Sequence, residues 1–243
     1  MEEIMKEIEQ QYLMHYGVKM RSGRYAYGSG DRPYQHINTK GTRSYNIDKW
    51  GKSQNNNILY LTGYSGSGKS TKAKEITDKN TQVVHLDLFL EPNNSHNERN
   101  KELVKYLKDH KFDIEKMSDT SIDKKERWKY IDQFAEKHLQ DFSKQQYKNG
   151  NKVIVEGVQL SDQTIFPDKT FFVDKPLMIM KTGPIKSWYR AGIRDQKINR
   201  KDLTPQDVKE YINWYFSMYK NMNALEKTIT TKEGKNFIEK MFK

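Results

Sequence analysis

Gly63-Tyr64-Ser65-Gly66-Ser67-Gly68-Lys69-Ser70 is the stretch of this chain that most strongly constrains its fold. It matches the phosphate-loop pattern G-x-x-x-x-G-K-[ST] at every fixed position. Glycines in this pattern let backbone N–H groups surround phosphate oxygens, because they leave room for the anion and adopt backbone angles that other residues avoid. The stretch therefore predicts a nucleotide-phosphate site formed by Gly63, Ser65, Gly66, Ser67, Gly68, Lys69, Ser70 and Thr71.

Both flanks of this loop have the pattern that such a site needs. Residues 58–62 form a short β-rich run, and residues 70–77 follow as a helical stretch. A helix that begins at the loop directs the positive end of its dipole at the bound phosphate. We expect Lys69 to neutralise the β and γ phosphates and the Ser70 hydroxyl to coordinate Mg²⁺, while Thr71 adds a hydroxyl near the α phosphate.

From residue 57 onward, β-rich runs alternate with helical stretches, which is typical of an α/β protein whose parallel sheet is flanked by helices. Further strands are predicted at residues 82–86, 152–155, 170–173 and 177–180. Helices are predicted at residues 97–109, 124–147 and 205–226. Apolar residues of the second of these helices recur every three or four positions and predict one core-facing stripe: Trp128, Ile131, Phe134, Ala135, Leu139 and Phe142.

Two acidic residues, Asp87 and Glu156, stand directly after predicted strands. Open α/β sheets bind their ligands at the carboxyl ends of strands. We expect Asp87 to accept a proton from an attacking hydroxyl. Glu156 would hold Mg²⁺ or a metal-bound water if its strand lies beside the strand that precedes the loop. For each residue the alternative is a carboxylate in a surface turn.

A basic helix is predicted at residues 185–199, within a lid that spans about 185–201. Arg190 and Arg194 are four positions apart, so they share one face of this helix. Arginines that close over a transferred phosphoryl group stabilise the negative charge that spreads over it in the transition state. We therefore expect both arginines to act in catalysis. A solvated basic face is the alternative.

The composition excludes several classes of protein. The chain has 243 residues, a net charge of +11 and no cysteine. Without cysteine it forms no disulfides and no thiolate metal sites, and it has no cysteine nucleophile. No apolar run of membrane-spanning length and no signal-peptide pattern occurs, so we expect a cytoplasmic protein without a membrane partner. The positive charge fits nucleic acid, a membrane surface or an anionic substrate.

Residues 1–56 differ in composition from the rest and are predicted to form an arm, while residues 57–243 form the domain, with a helical insert at about 92–148. Residues 2–14 have the apolar spacing of a short helix. Between residues 15 and 56 the chain carries eight Lys or Arg against two Asp, with six Tyr or Trp among them. This mixture suits an extended segment that lies on another surface. A solvated leader is the alternative.

Four motifs, taken in chain order, resemble one group of enzymes. They are G-Y-S-G-S-G-K-S at 63–70, H-L-D-L-F at 85–89, V-I-V-E-G-V at 153–158 and R-A-G-I-R-D at 190–195. The order is similar to that of P-loop kinases of small molecules, closest to the uridine kinase and pantothenate kinase group, and more distantly to zeta toxins and shikimate-type kinases. The resemblance covers roughly residues 57–226 and implies a P-loop NTPase or kinase-like sheet, ATP and Mg²⁺. It maps the base to Asp87, the metal-shell acid to Glu156 and the lid arginines to Arg190 and Arg194.

The arm carries a second resemblance. Its residues 15–35, which begin H-Y-G-V-K-M-R-S-G-R-Y, look like a short basic and aromatic segment of phage and prophage structural proteins of Gram-positive bacteria. This resemblance implies a phage-encoded protein that residues 15–56 attach to a structural partner. It would act in the bacterial cytoplasm or on the virion.

Three functions fit these observations. The first, which we favour, is ATP- and Mg²⁺-dependent phosphoryl transfer to a hydroxyl of a small molecule, nucleoside or nucleotide, with the acceptor open. The second is a phage structural or interaction protein whose kinase-like domain binds nucleotide without small-molecule kinase activity. The third is a nucleic-acid-processing ATPase. It rests on the charge alone, since Glu156-Gly157 lacks the hydrophobic-D-E ending typical of such motors.

Overall fold

The centre of the molecule is a mixed sheet that is mostly parallel. The computed structural model describes residues 41–86, 99–119, 121–161, 165–166, 168–183, 187 and 205–231. The strands in these ranges are β1 (Thr42–Tyr45), β2 (Ile58–Thr62), β3 (Thr81–His85), β4 (Lys152–Glu156) and β5 (Leu177–Met180). Their order across the sheet is β1-β5-β2-β4-β3, with β1 antiparallel to β5 and the other neighbours parallel. The predicted α/β class, with a largely parallel sheet flanked by helices, is confirmed.

Strand β2 lies in the middle of this sheet, and all five of its residues are buried. A strand that is covered on both faces needs a nearly continuous apolar sequence rather than an alternating one. Ile58 and Tyr60 pack in the larger core cluster, whereas Leu59 and Leu61 pack in the smaller one. Successive side chains point to opposite faces of a sheet. The strand that precedes the glycine-rich loop is therefore held from both faces.

Helices cover both faces of the sheet. They are α1 (Lys69–Ile76), α2 (Lys101–Asp109), α3 (Glu115–Ser118), α4 (Lys124–Gln133), α5 (Leu139–Lys148) and α6 (Pro205–Thr230). Short 3₁₀ turns form at Ile47–Lys49, Gln54–Asn56, Val158–Leu160 and Lys169–Phe172. α1 packs on the smaller core cluster, and α2, α4, α5 and α6 pack on the larger one. Among the described helices, none has the length and apolar character that a bilayer span requires.

The helix predicted at residues 124–147 forms, but with a wider turn in its middle. A π-helical turn, Phe134–His138, joins α4 to α5. This turn buries Phe134, Ala135 and His138 together. The predicted core-facing stripe is confirmed, with Trp128 partly buried and the remaining members buried: Ile131, Phe134, Ala135, Leu139 and Phe142.

Residues 41–56, which the sequence assigned to the arm, pack against the sheet. β1 pairs with β5 in the register Thr42↔Met180. The Trp50 indole N–H lies 3.2 Å from the Asn57 carbonyl oxygen and 3.1 Å from that of Val153, and it donates to both. Packed structure thus extends upstream of the predicted domain start at residue 57. Residues 1–40 lie outside the described part of the chain.

One predicted strand, at residues 170–173, is wrong. A 3₁₀ turn forms there because the Asp168 carboxylate accepts a hydrogen bond from the Thr170 N–H at 2.8 Å. The rings of Phe171 and Phe172 meet Tyr60 edge-on, with centroids 5.5 and 5.3 Å apart. Aromatic residues are enriched in strands, so composition alone favoured the strand. The other predicted strands form within one residue of their predicted bounds.

Candidate functional site

The glycine-rich loop, residues 63–68, joins β2 to α1. Gly63 has a φ of 153°, and a Cβ built on it would lie 2.6 Å from Ser67 Oγ and 2.9 Å from the Met180 carbonyl oxygen. Gly68 has a φ of 96° and forms the N-cap of α1. Residues with a Cβ rarely adopt such angles. Two fixed glycines of the motif are therefore required by the geometry of the loop itself.

The loop is held from two sides. The Ser67 N–H donates to the Tyr64 carbonyl oxygen at 3.1 Å, which closes a turn. From the segment after β5, the Thr182 hydroxyl donates to the Ser67 carbonyl oxygen at 3.1 Å. The Tyr64 ring is fully buried and meets Tyr215 of α6 edge-on, with centroids 5.6 Å apart. These contacts all come from the chain itself and fix the position of the loop.

The first turn of α1 places Lys69, Ser70 and Thr71 at the end of the loop. The first backbone N–H groups of a helix have no partner within it and carry the positive end of its dipole. The Lys69 ammonium donates to the Tyr64 carbonyl oxygen at 3.2 Å, so its charge lies at the same loop. Thr71 is exposed. An anion in the loop would meet both the helix terminus and the lysine charge.

Glu156 reaches the same place from the neighbouring strand. β4 lies beside β2 in the register Leu61↔Glu156. This adjacency is the condition on which the predicted metal role of Glu156 depends. The Ser70 hydroxyl donates to Glu156 Oε1 at 2.9 Å. The structure therefore brings Ser70 and Glu156 into contact beside Lys69, and their role in binding a metal stays a prediction.

The Glu156 carboxylate is buried, with the residue 4% exposed. Burial alone raises its pKa. The hydrogen bond and charge of His85, the Ser70 hydroxyl and the charge of Lys69 together outweigh burial, so the pKa of Glu156 lies below its usual value. Its Oε2 atom is buried and has no hydrogen-bond partner among the described residues. A buried carboxylate oxygen without a partner is costly, so this atom offers an open acceptor to a ligand.

His85 is a site residue that the sequence analysis missed. It ends β3 in register with Glu156, and its Nδ1 lies 2.5 Å from Glu156 Oε1. The histidine is visible in the sequence, two positions before Asp87 at the end of a predicted strand. Only the strand order, which puts β4 between β2 and β3, shows that it contacts Glu156.

The predicted site residues fall into two groups. Asp87, Arg190 and Arg194 lie outside the described residues. Glu156 belongs to the other group, because it contacts Ser70. The rest of that group forms one continuous segment, the loop and the first turn of α1: Gly63, Ser65, Gly66, Ser67, Gly68, Lys69, Ser70 and Thr71.

The described residues suit a phosphate ligand accompanied by a hard divalent cation. Mg²⁺ takes oxygen ligands and binds through one or two protein groups together with phosphate oxygens and water. Ser70 and Glu156 supply a hydroxyl and an ionised carboxylate 2.9 Å apart, and Oε2 of the carboxylate is open. No family model matches this chain, and neither a curated protein nor a solved structure matches it.

Proposed function

We propose that the chain binds ATP together with Mg²⁺ and transfers the γ-phosphoryl group to a hydroxyl of a small molecule, nucleoside or nucleotide. The observation that carries this proposal is the hydrogen bond between Ser70 and the buried Glu156 carboxylate, directly beside the glycine-rich loop. An ordinary glycine-rich turn needs no ionised carboxylate at the start of the following helix, whereas a nucleotide–metal site does. The P-loop kinase-like assignment of the sheet is part of the same proposal.

The phosphates would bind in the glycine-rich loop. Its backbone N–H groups and the amino terminus of α1 supply hydrogen bonds and a favourable dipole. Lys69 would exchange the Tyr64 carbonyl oxygen, 3.2 Å away, for a charged phosphate oxygen. Hydrogen bonds between two charged groups are stronger than those to a neutral carbonyl, so nucleotide binding favours this exchange.

Ser70 and Glu156 would hold the Mg²⁺ ion, which when bound neutralises charge on the β and γ phosphates. The Ser70 hydroxyl hydrogen is already donated to Glu156 Oε1, so the lone pairs of its oxygen remain available. The lowered pKa of Glu156 keeps the carboxylate ionised, as a cation site requires.

Three further residues enter the proposal from the sequence. The acceptor hydroxyl oxygen forms a bond to the γ phosphorus, the bond from that phosphorus to the β–γ bridging oxygen breaks, and ADP leaves. Asp87 would take the hydroxyl proton, and Arg190 and Arg194 would stabilise the charge that spreads over the transferred group.

Lys69→Ala tests the nucleotide site. We expect ATP with Mg²⁺ to raise the melting temperature of the wild type but not that of the variant, because the variant loses the phosphate-binding charge. A ligand at 100 times its Kd stabilises a protein by about 2.7 kcal/mol, which a thermal shift detects. Lys72→Ala is the matched control, since its ammonium pairs with Glu75 on the same helix at 2.9 Å. Equal shifts in Lys69→Ala and the wild type would contradict the proposal.

Transfer is tested with γ-labelled ATP and a panel of nucleosides, nucleotides, sugars and nucleic-acid ends. Label in one acceptor identifies the substrate class. Asp87→Asn should keep ATP binding and lose transfer, and full activity in this variant would remove Asp87 from the role of base. ATP binding without transfer to any acceptor would favour an interaction protein that residues 15–56 attach to a phage structural partner.

A further inference from the structure

The two oxygens of the Glu156 carboxylate have unequal surroundings. Oε1 accepts hydrogen bonds from the Ser70 hydroxyl at 2.9 Å and from His85 Nδ1 at 2.5 Å. Oε2 is buried and has no partner among the described residues. The terminal torsion of a glutamate is broad and nearly two-fold, so the carboxylate itself does not choose one arrangement over another. The donors around it make that choice.

His85 is the more rigid of the two donors. His85 Nδ1 lies 2.5 Å from Glu156 Oε1, and a carboxylate oxygen accepts hydrogen bonds, so Nδ1 is the donor of this pair. A serine hydroxyl rotates about its C–O bond, whereas Nδ1 is part of a planar ring attached close to the backbone of β3. The register of β3 on β4, His85↔Glu156, sets the distance between ring and carboxylate. The histidine therefore fixes the direction in which the carboxylate faces.

Asn100 fixes His85 in turn. β3 is an edge strand of the described sheet, so the backbone groups of its last residue have no neighbouring strand on the outer side. The Asn100 side chain accepts from the His85 N–H at 2.8 Å and donates to the His85 carbonyl oxygen at 3.2 Å. Asn100 is 2% exposed. It thus supplies His85 with the two backbone hydrogen bonds that a further strand would make.

We propose that His85 is a positioning residue that orients Glu156 and keeps its Oε2 atom open for the cation that accompanies the nucleotide. This inference rests on the proposed function, since it takes the cation site to lie beside the glycine-rich loop. His85 acts through Glu156 and contacts no reacting atom. Partners that orient a metal-binding carboxylate in this way typically change metal affinity by 10–100-fold.

A merely structural His85 would behave differently. It would hold β3 against β4, and its loss would weaken the fold and the whole nucleotide site together. A positioning His85 affects the affinity for the cation and leaves the affinity for the metal-free nucleotide unchanged, because the loop lies between β2 and α1 and Lys69 lies on α1. Separate measurements of the two affinities distinguish these roles.

Mn²⁺ is the probe, because the electron paramagnetic resonance signal of the free ion disappears when it binds. The full chain is saturated with ADP and titrated with Mn²⁺, and ADP affinity is measured separately in EDTA. For His85→Leu we expect Mn²⁺ affinity to fall by about 10-fold or more, with ADP affinity in EDTA within about twofold of the wild type. His85→Asn should restore most of the Mn²⁺ affinity, since its side-chain nitrogen occupies the position of Nδ1.

His110→Leu is the matched control, because His110 is an exposed histidine that follows α2 and stacks on Tyr106 at 4.0 Å. Urea unfolding checks the folding of each variant, and if the leucine variant does not fold, His85→Ala replaces it with the same expected fall in Mn²⁺ affinity. Unchanged Mn²⁺ affinity in His85→Leu would overturn the proposal. Equal losses of Mn²⁺ and metal-free ADP affinity in both His85 variants would overturn it as well, as signs of a structural role. A wild type that binds no ADP would refute the proposed function itself rather than the role of His85 alone.

Discussion

Glu156 and Glu226 are two partly or fully buried carboxylates in opposite situations. Glu226, on α6, accepts from the Tyr45 hydroxyl at 2.6 Å with one oxygen and pairs with Lys181 through the other. Glu156, on β4, receives its two hydrogen bonds on a single oxygen, and its second oxygen has no partner among the described residues. Both carboxylate oxygens of Glu226 therefore have partners, whereas one oxygen of Glu156 has none among the described residues.

This difference separates a carboxylate that stabilises the fold from one that is available to a ligand. Glu226 joins β1, the segment after β5, and α6. Burial raises its pKa, but the hydrogen bonds from Lys181 and Tyr45 and the charges of Lys181 and Arg43 outweigh burial and lower it. The pKa of Glu156 is lowered as well, yet this residue lies at the carboxyl end of the central strands, where open sheets bind ligands.

The largest effect expected from this comparison is on ligand binding. Glu156→Gln removes the charge at the candidate metal site, so we expect the Mg²⁺-dependent part of the stabilisation by ATP to disappear. The loss amounts to as much as about 2.7 kcal/mol at 100 times the Kd. Glu226→Gln should keep this stabilisation. Thermal shifts with ATP, in Mg²⁺ and in EDTA, measure the difference, and equal losses in both variants would remove the distinction.

The reverse result is expected for the stability of the ligand-free protein. Glu226→Gln deletes the charge that pairs with Lys181, and we expect the free energy of unfolding to fall by about 1–2 kcal/mol. Glu75→Gln is the control, because Glu75 is 52% exposed and its pair with Lys72 contributes less than about 1 kcal/mol. Urea denaturation measures both changes. A Glu226 variant as stable as the wild type would show that the cluster around Glu226 adds nothing to the fold.

Acid should weaken the same cluster. The folded pKa of Glu226 lies below the ordinary value of 4.5, so its contribution to stability is complete above that pH and is lost as the pH falls through the folded pKa. We expect the urea midpoint of the wild type to drop below pH 4.5 and that of Glu226→Gln to drop less. Parallel pH profiles for the two proteins would assign the acid sensitivity to other groups.

The smallest expected effect concerns two buried tyrosines, one whose hydroxyl has a hydrogen-bond partner and one whose hydroxyl has none among the described residues. The Tyr60 hydroxyl accepts a hydrogen bond from Gln140 Nε2 at 3.1 Å, whereas the Tyr64 hydroxyl, in the glycine-rich loop, is buried without a partner among the described residues. Tyr60→Phe should lower the free energy of unfolding by about 1 kcal/mol, and Tyr64→Phe should leave it unchanged or raise it. Urea denaturation compares the two, and an equal loss in Tyr64→Phe would reveal a partner for its hydroxyl.

Much of the fold followed from local patterns. The apolar run of β2 and the glycines at positions 63 and 68 predicted a buried strand, a loop and a helix start, because burial on both faces and positive φ angles demand particular residue types. Local patterns were misleading at residues 170–173, where aromatic residues favoured a strand but the Asp168 cap forms a turn. The same patterns assigned residues 41–56 to the arm, because β1 has no aliphatic side chain that would indicate a strand. An edge strand can form without such side chains.

The sequence by itself determined the loop, the run of strands and helices, and the presence of Lys69, Ser70 and Glu156. Only the tertiary structure decided that β4 lies between β2 and β3, because periodicity records which residues are buried and not which strands are neighbours. That strand order brings Ser70 and His85 to one oxygen of Glu156 and leaves the other open. It also distinguishes Glu156 from Glu226, which lies on α6 and accepts a hydrogen bond from Tyr45 of β1, 181 positions away along the chain.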